Sequence, residues 1–200
     1  MDATGSRDRY DVPSCSMASC QCRASEAFKS VLLLGGYFYV ADFLTNQPYS
    51  AYSAAVRAEW LDYNNHMNDS AYSVVCTEAN EVLLEYLGLS AAYRKATGSG
   101  MYTVEAHIRF LREVGSSDIL RAETLVVDAD LKRLRVHTTI LVQDGTDVCT
   151  GEYIYLHVNQ GSGRVIPFPD DRYSAVQAVY VAHQNIARPQ HLGRGISFSR

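Results

Sequence analysis

Asp62 stands in the run Glu59-Trp-Leu-Asp-Tyr-Asn-Asn-His-Met-Asn68, just ahead of a polar loop that opens into a long amphipathic segment. The free N–H groups at a helix start can hold a developing oxyanion, and a nearby carboxylate can attack a carbonyl or activate water. An acid beside such donors is a pairing suited to acyl transfer. The elements that must position it are legible on either side.

The apolar positions Tyr72, Val75, Cys76, Ala79, Val82, Leu83, Tyr86 and Leu87 recur at three- and four-residue steps and predict one helix with a broad buried stripe. Asn68 or Asp69 can cap its start, and Gly88 followed by Leu89 is a left-handed stop with its apolar contact. Upstream, Tyr52 to Trp60 reads as a first strand. Downstream, Tyr102, Val104, Ala106, Ile108 and Phe110 alternate with Thr103, Glu105, His107 and Arg109. Period-two runs return from Leu120 to Val126, from Leu134 to Val142 and from Val148 to Val158. The links between them are short, and Asp144-Gly145 favours a tight hairpin, so consecutive strands are antiparallel neighbours. The order strand, long helix, four antiparallel strands fits an α+β protein of hotdog type, an antiparallel sheet wrapped around one central helix; a generic α+β sandwich is the other arrangement it allows.

The chain has 200 residues, 47% hydrophobic and 20% charged, with a formal net charge of −4. These totals suit one globular domain with extra segments and disfavour broad nucleic-acid binding. Residues 1–50 read as a poorly specified N-terminal extension, 51–169 as the domain, and 170–200 as a C-terminal tail with a short helix at Ser174–His183 followed by a mobile Gly/Arg/Ser stretch. The apolar run Val31 to Ala41 is too short to cross a bilayer, and no clear cleavage site follows it. Five cysteines, Cys15, Cys20, Cys22, Cys76 and Cys149, lack metal-finger spacing and read as free thiols in a reducing cytoplasm. Cys76 falls on the apolar helix stripe and reads as core.

The run from Asp62 through Asn65-His-Met-Asn-Asp69 to Tyr72 resembles the D-x-x-G-H-[MV]-N-N-x-x-Y pattern of 4-hydroxybenzoyl-CoA-thioesterase-like hotdog proteins. The likeness extends over roughly Ala51 to Pro169. Within that family Glu59 to Asn68, Tyr102 to Val114, Ala129 to Leu134 and Glu152 to Val158 are especially similar to thioesterases of carnitine catabolism, which hydrolyse betainyl-CoA. Such thioesterases occur alone or fused behind a carnitine dehydrogenase. No Gly-rich dinucleotide fingerprint occurs here, so the stand-alone form is expected. Two positions depart from the pattern. Asn65 replaces Gly, a change a left-handed turn tolerates; Asp69 replaces Asn and suits the helix dipole provided it points away from any oxyanion.

The resemblance implies acyl-CoA thioester hydrolysis, with betainyl-CoA as substrate and no metal or cofactor. Asp62 is then nucleophile or general base, two routes the sequence leaves open. Backbone amides around Asn68 and Asp69 are the oxyanion candidates, and His66 either orients the loop or touches substrate. Trp60, Tyr63, Tyr72, Tyr102, Glu105 and His107 are candidates for holding a trimethylammonium acyl group by charge and cation–π contact. Lys132, Arg133 and Arg135 are candidates for the CoA phosphates. Other readings are aromatic core filling for the tyrosines and a solvated rim for the basic hairpin. The expected partners are the acyl-CoA and further copies of the chain, as a homodimer or homotetramer, with neither nucleic acid nor membrane involved. A non-catalytic acyl-CoA or acyl-carrier binding protein is the alternative. A hotdog hydratase is disfavoured by the Asp62–Asn68 run.

Overall fold

A computed structural model of the chain describes residues 47–194. The three N-terminal cysteines, the Val31–Ala41 run and the extreme C-terminus lie outside these residues. The elements are β1 (Ser53–Ala55), a 3-10 turn (Ala58–Trp60), α1 (Asp69–Tyr86), α2 (Ala91–Thr97), β2 (Ser99–Phe110), β3 (Ile119–Ala129), β4 (Arg133–Leu141), β5 (Asp147–Asn159), β6 (Arg164–Val165) and α3 (Asp170–His183). The main strands form one antiparallel sheet in the order β1-β3-β4-β5-β2, with β6 on β5. The sheet curls around α1, the hotdog arrangement expected.

Most of the stripe read from the sequence is the face that α1 buries against β3, β4 and β5, with Val82 and Tyr86 half-buried at its margin. Val75 and Leu83 are fully enclosed, and each such side chain contributes about 1.5–3 kcal/mol by leaving water. A buried polar chain fixes the helix's rotation on the sheet. Asn80 donates to the Tyr155 hydroxyl at 2.9 Å and accepts from Thr138 Oγ1 at 2.6 Å, and Thr138 meets Thr124 at 3.2 Å. At the C-terminal end of α1, Gly88 has φ +70°, its N–H bonds to the Glu85 carbonyl, and the Leu89 N–H reaches back to Leu84. Leu89 is buried, which completes a Schellman stop with its apolar contact.

Four expectations change. The first strand is three residues rather than nine, because the chain bends at Arg57. That side chain pairs with Glu78 of α1 and lies over the Trp60 ring, 4.3 Å from its centroid. In β2 a bulge between Thr103 and Glu105 breaks the alternation, so Tyr102, opposite Leu156, shares the outer face with Glu105, opposite Ile154. Helix α2 buries no residue, so it has no stripe to announce it.

The C-terminal helix begins at Asp170 rather than Ser174, and the segment after it, expected to be mobile, is bonded to the sheet through Arg188 and Gly193. β1 and Tyr49 cover β3 only as far as Thr124. Beyond that the edge finds other partners. The Val126 N–H donates to His183 Nδ1 at 2.9 Å, Gln177 donates to the Ala129 carbonyl, and Arg188 donates to the Val127 carbonyl. An uncovered strand edge invites pairing with other chains, and this segment closes it.

Candidate active site

Between β1 and α1 the chain makes a tight double reversal. Leu61 bridges Met67 antiparallel, the Asp62 N–H donates to the His66 carbonyl at 2.8 Å, and the Asn65 N–H returns to the Asp62 carbonyl at 3.0 Å. Closing so short a loop needs one left-handed residue. Asn65 supplies it, with φ +62°, the only positive φ on a non-glycine among the described residues. The substitution of Asn for the family's Gly therefore keeps the turn.

The loop is also tied to the sheet. Met67 N–H donates to the Val114 carbonyl, His66 bridges Gly115, and Asn65 reaches Ser116 at 3.5 Å. These bonds bring the segment after β2 against the acid-bearing turn. The sequence contains no local signal for that juxtaposition.

The Asp62 carboxylate is held by one oxygen. Oδ1 accepts from the Asn64 N–H at 2.8 Å and the His66 N–H at 3.1 Å. Oδ2 has no hydrogen-bond partner among the described residues. A fixed carboxylate with one free oxygen is in the state required to attack a carbonyl or to take a proton from water.

At the helix start Asn68 is the N-cap. Its Oδ1 accepts from the Ser70 N–H at 2.9 Å and the Ser70 hydroxyl at 2.7 Å. Its own N–H is committed to the Trp60 carbonyl, and the Ala71 N–H to the Asn68 carbonyl. The Asp69 carboxylate folds back on the Ser70 N–H at 2.7 Å. Of the amides expected to serve an oxyanion, Asn68 is thus already occupied. The Asp69 N–H has no hydrogen-bond partner among the described residues.

Below the helix start lies a cleft of about 300 Å³ lined by Met67, Asp69, Tyr72, Phe110, Leu111, Arg112 and Glu113. The Tyr72 hydroxyl donates to the Arg112 carbonyl at 3.1 Å, and its ring meets Phe110 edge-on with centroids 5.3 Å apart. Burial, with smaller contributions from Cys149 and Glu113, pushes that hydroxyl up to about 12, so it stays neutral. Glu113 Oε2 lies 3.5 Å from His66 Nδ1, and both side chains are largely open to solvent. His66 therefore sits between the Asp62 carboxylate, which its N–H holds, and Glu113.

The structure does not bring the remaining candidates to this place. Trp60 is core, 6% exposed, and acts on the turn through its carbonyl. Tyr102 accepts from Gln160 at 3.3 Å on the edge strand. Glu105 and His107 line a different cleft of about 410 Å³ with Arg135, Glu152 and Ile154, on the outer face of the sheet. There Arg135 is paired with Glu152, whose second oxygen accepts from the Gly193 N–H at 2.7 Å. Burial alone would raise the Glu152 carboxyl, but the Gly193 N–H and the guanidinium together hold it below the usual range.

Lys132 and Arg133 occupy the β3–β4 hairpin, where Asp130 accepts from both backbone amides and from the Arg133 guanidinium. That hairpin lies opposite Leu156 of β5, while Phe110 lies opposite Cys149. At about 3.3 Å per residue the two ends are roughly 23 Å apart. Within one chain, the basic hairpin and the Asp62 turn occupy opposite ends of the sheet. Phe110, Leu111 and Glu113 are the site residues that sequence reasoning missed.

A curled antiparallel sheet on one helix, with an acid-bearing turn feeding that helix's N-terminus, defines a hotdog protein of the thioesterase kind. The chain belongs to the thioesterase-like superfamily, whose family model matches residues 56–179. It is 40% identical over 149 residues, 74% of its length, to an L-carnitine dehydrogenase/betainyl-CoA thioesterase of Agrobacterium fabrum, and it spans 30% of that longer protein. It is 32% identical over 152 residues to a betainyl-CoA thioesterase of Pseudomonas aeruginosa, covering 76% of this chain and 96% of that one. Among solved structures, a hypothetical protein of Staphylococcus aureus in complex with CoA superposes with a TM-score of 0.73 at 27% identity, covering 78% of this chain and 98% of that one.

Proposed function

We propose that this protein hydrolyses acyl-CoA thioesters, with betainyl-CoA as its substrate. The observation that carries the reading is the Asp62 turn, where one carboxylate oxygen is fixed by two amides and the other has no partner among the described residues, in a turn that leads directly into the start of α1. The similarity to betainyl-CoA thioesterases, one of them over nearly its whole length, supports the substrate.

Hydrolysis adds water across the acyl carbon–sulfur bond. A thioester carbonyl is strongly electrophilic and its thiolate departs without a strong general acid, so one carboxylate and one or two oxyanion donors suffice. Asp62 Oδ2 either attacks the acyl carbon, giving an anhydride that water then opens, or takes the proton of the attacking water. In both routes negative charge gathers on the carbonyl oxygen, and the Asp69 N–H is the donor available to it. His66 keeps the carboxylate oriented through its backbone. Nothing in this scheme requires a metal or an organic cofactor.

The active form is a homodimer or homotetramer. β2 is a twelve-residue edge strand with Tyr102 and Val104 both more than 40% exposed, a surface suited to a second copy. Such pairing would also bring cations of a neighbouring copy to the Asp62 end of the sheet, from which this chain's own Lys132–Arg135 hairpin is distant. The working location is the cytoplasm, in keeping with the free thiols of Cys76 and Cys149. No helix among the described residues is long and apolar enough to cross a membrane.

The test is thiol release from a panel of betainyl-, benzoyl- and straight-chain acyl-CoAs. Betainyl-CoA is expected to show the highest kcat/KM, by about tenfold or more. Equal turnover of all three would overturn the substrate, and intact thioesters with measurable binding would favour a carrier role.

A further inference from the structure

The cleft under the start of α1 combines aromatic walls with carboxylates at its rim. Tyr72 and Phe110 form the walls, and Phe110 is 55% exposed although it is large and apolar. Met67 and Leu111 contribute further apolar lining, while Asp69 and Glu113 bring negative charge. Arg112 is the single cation in the lining. Its carbonyl is taken by Tyr72, and its guanidinium is near enough to Asp144, in the β4–β5 turn, to help lower that carboxyl after the larger effect of the Thr146 N–H.

Of the two carboxylates, Asp69 is turned onto Ser70. Glu113 has only the looser contact with His66, at 3.5 Å. A negative group beside the open face of Phe110, with Tyr72 buried behind it, is the chemistry that accepts a quaternary ammonium, which cannot donate a hydrogen bond and is held by charge and by ring quadrupoles. A volume of about 300 Å³ is at the small end for ligand sites. It suits a short, compact head.

We infer that this cleft is the cation-selecting acyl site, in which Glu113 faces the trimethylammonium head and the exposed Phe110 ring, backed by Tyr72, packs against its methyl groups. The inference rests on the thioesterase reading and names the residues that give it selectivity. It also moves the ion-pair partner from Glu105, on the outer face, to Glu113, which neighbours the Asp62 turn through His66.

The discriminating probe is a pair of thioesters of the same shape. Betainyl-CoA and 3,3-dimethylbutanoyl-CoA differ by one atom, a cationic nitrogen against a neutral carbon. Glu113→Gln is expected to lower kcat/KM for betainyl-CoA about tenfold and to change the neutral analogue less than about twofold. Phe110→Leu keeps the apolar bulk and removes the ring, so it is expected to lower the cationic substrate by about fivefold and again spare the neutral one.

Equal losses on both thioesters would overturn the inference, since Glu113 would then act through His66 rather than on the substrate's charge. No loss on either would overturn it as well. A wild-type protein that turns over the neutral analogue but not betainyl-CoA would contradict the cation site while leaving the thioesterase reading intact. A wild type that hydrolyses neither contradicts both.

Discussion

Two polar regions of this molecule look alike in composition and differ in what their groups are free to do. On the outer face of the sheet, Glu105, His107, Arg135 and Glu152 gather in a cleft, but Arg135 and the Gly193 N–H already engage both oxygens of Glu152. At the start of α1, the bonds fix the backbone and stop short of the reactive atoms. Asp62 is anchored by Oδ1 alone, Asn68 spends its side chain on capping, and Glu113 stands largely in solvent. The first arrangement holds chain segments together. The second holds chemistry in position, and charge content alone does not distinguish them.

Exchanging charge for a neutral isostere in each region separates the two most sharply. Asp62→Asn is expected to lower kcat on betainyl-CoA by about a thousandfold while the thermal midpoint moves little, because the amide oxygen still accepts from the Asn64 and His66 amides. Assay of thiol release together with calorimetry checks both halves. Near-normal turnover by a folded variant would remove Asp62 from its role.

Asn65→Val comes next. A β-branched residue at φ +62° costs about 1–2 kcal/mol. Relaxation of the turn would displace the carboxylate, so kcat is expected to fall about tenfold along with the loss of stability. The outer face should behave in the opposite sense. Glu152→Gln removes the charge pairing with Arg135 and is expected to cost about 1–2 kcal/mol in denaturant titration, with turnover unchanged. A variant that is stable but inactive would mean that the outer face takes part in the reaction.

The smallest effect is on pH. Burial lowers His183 and also His137, which lies under the C-terminal strap, and His183 must be neutral at Nδ1 to accept the Val126 N–H. Both groups are therefore depressed relative to the unfolded chain. Their contribution to stability is complete above about 6.5 and is lost as pH falls through their lower folded values. Midpoints measured from pH 7.5 to 5 should decline, and His183→Asn should flatten part of that decline. An unchanged slope in the variant would show that His183 does not contribute to it.

What could be read from the sequence was local. The α1 stripe, the Gly88 stop, the hairpin at Asp144-Gly145 and the left-handed Asn65 each depend on residues a few positions apart. The Asp62 turn was legible for the same reason, since its bonds run to Asn64, Asn65 and His66. Glu113 and Phe110 were not, because it is the bond from Met67 to Val114 and the bridge from His66 to Gly115 that carry their segment to the turn. Tyr102 was assigned to the wrong face because a bulge at Val104 has no signature in an alternating run. α3 left two cues, Pro169 and the acidic pair Asp170-Asp171 in its first turn. Its packing on the β3 edge depends on His183 and Gln177 finding backbone groups more than forty residues away.

The contrast between the two regions is tested most directly by a crystal structure of the Asp62→Asn variant with betainyl-CoA bound. The thioester carbonyl is expected within hydrogen-bond distance of the Asp69 N–H, and the acyl head against Phe110 and Glu113. An acyl group seated instead among Glu105, His107 and Arg135 on the outer face would contradict it.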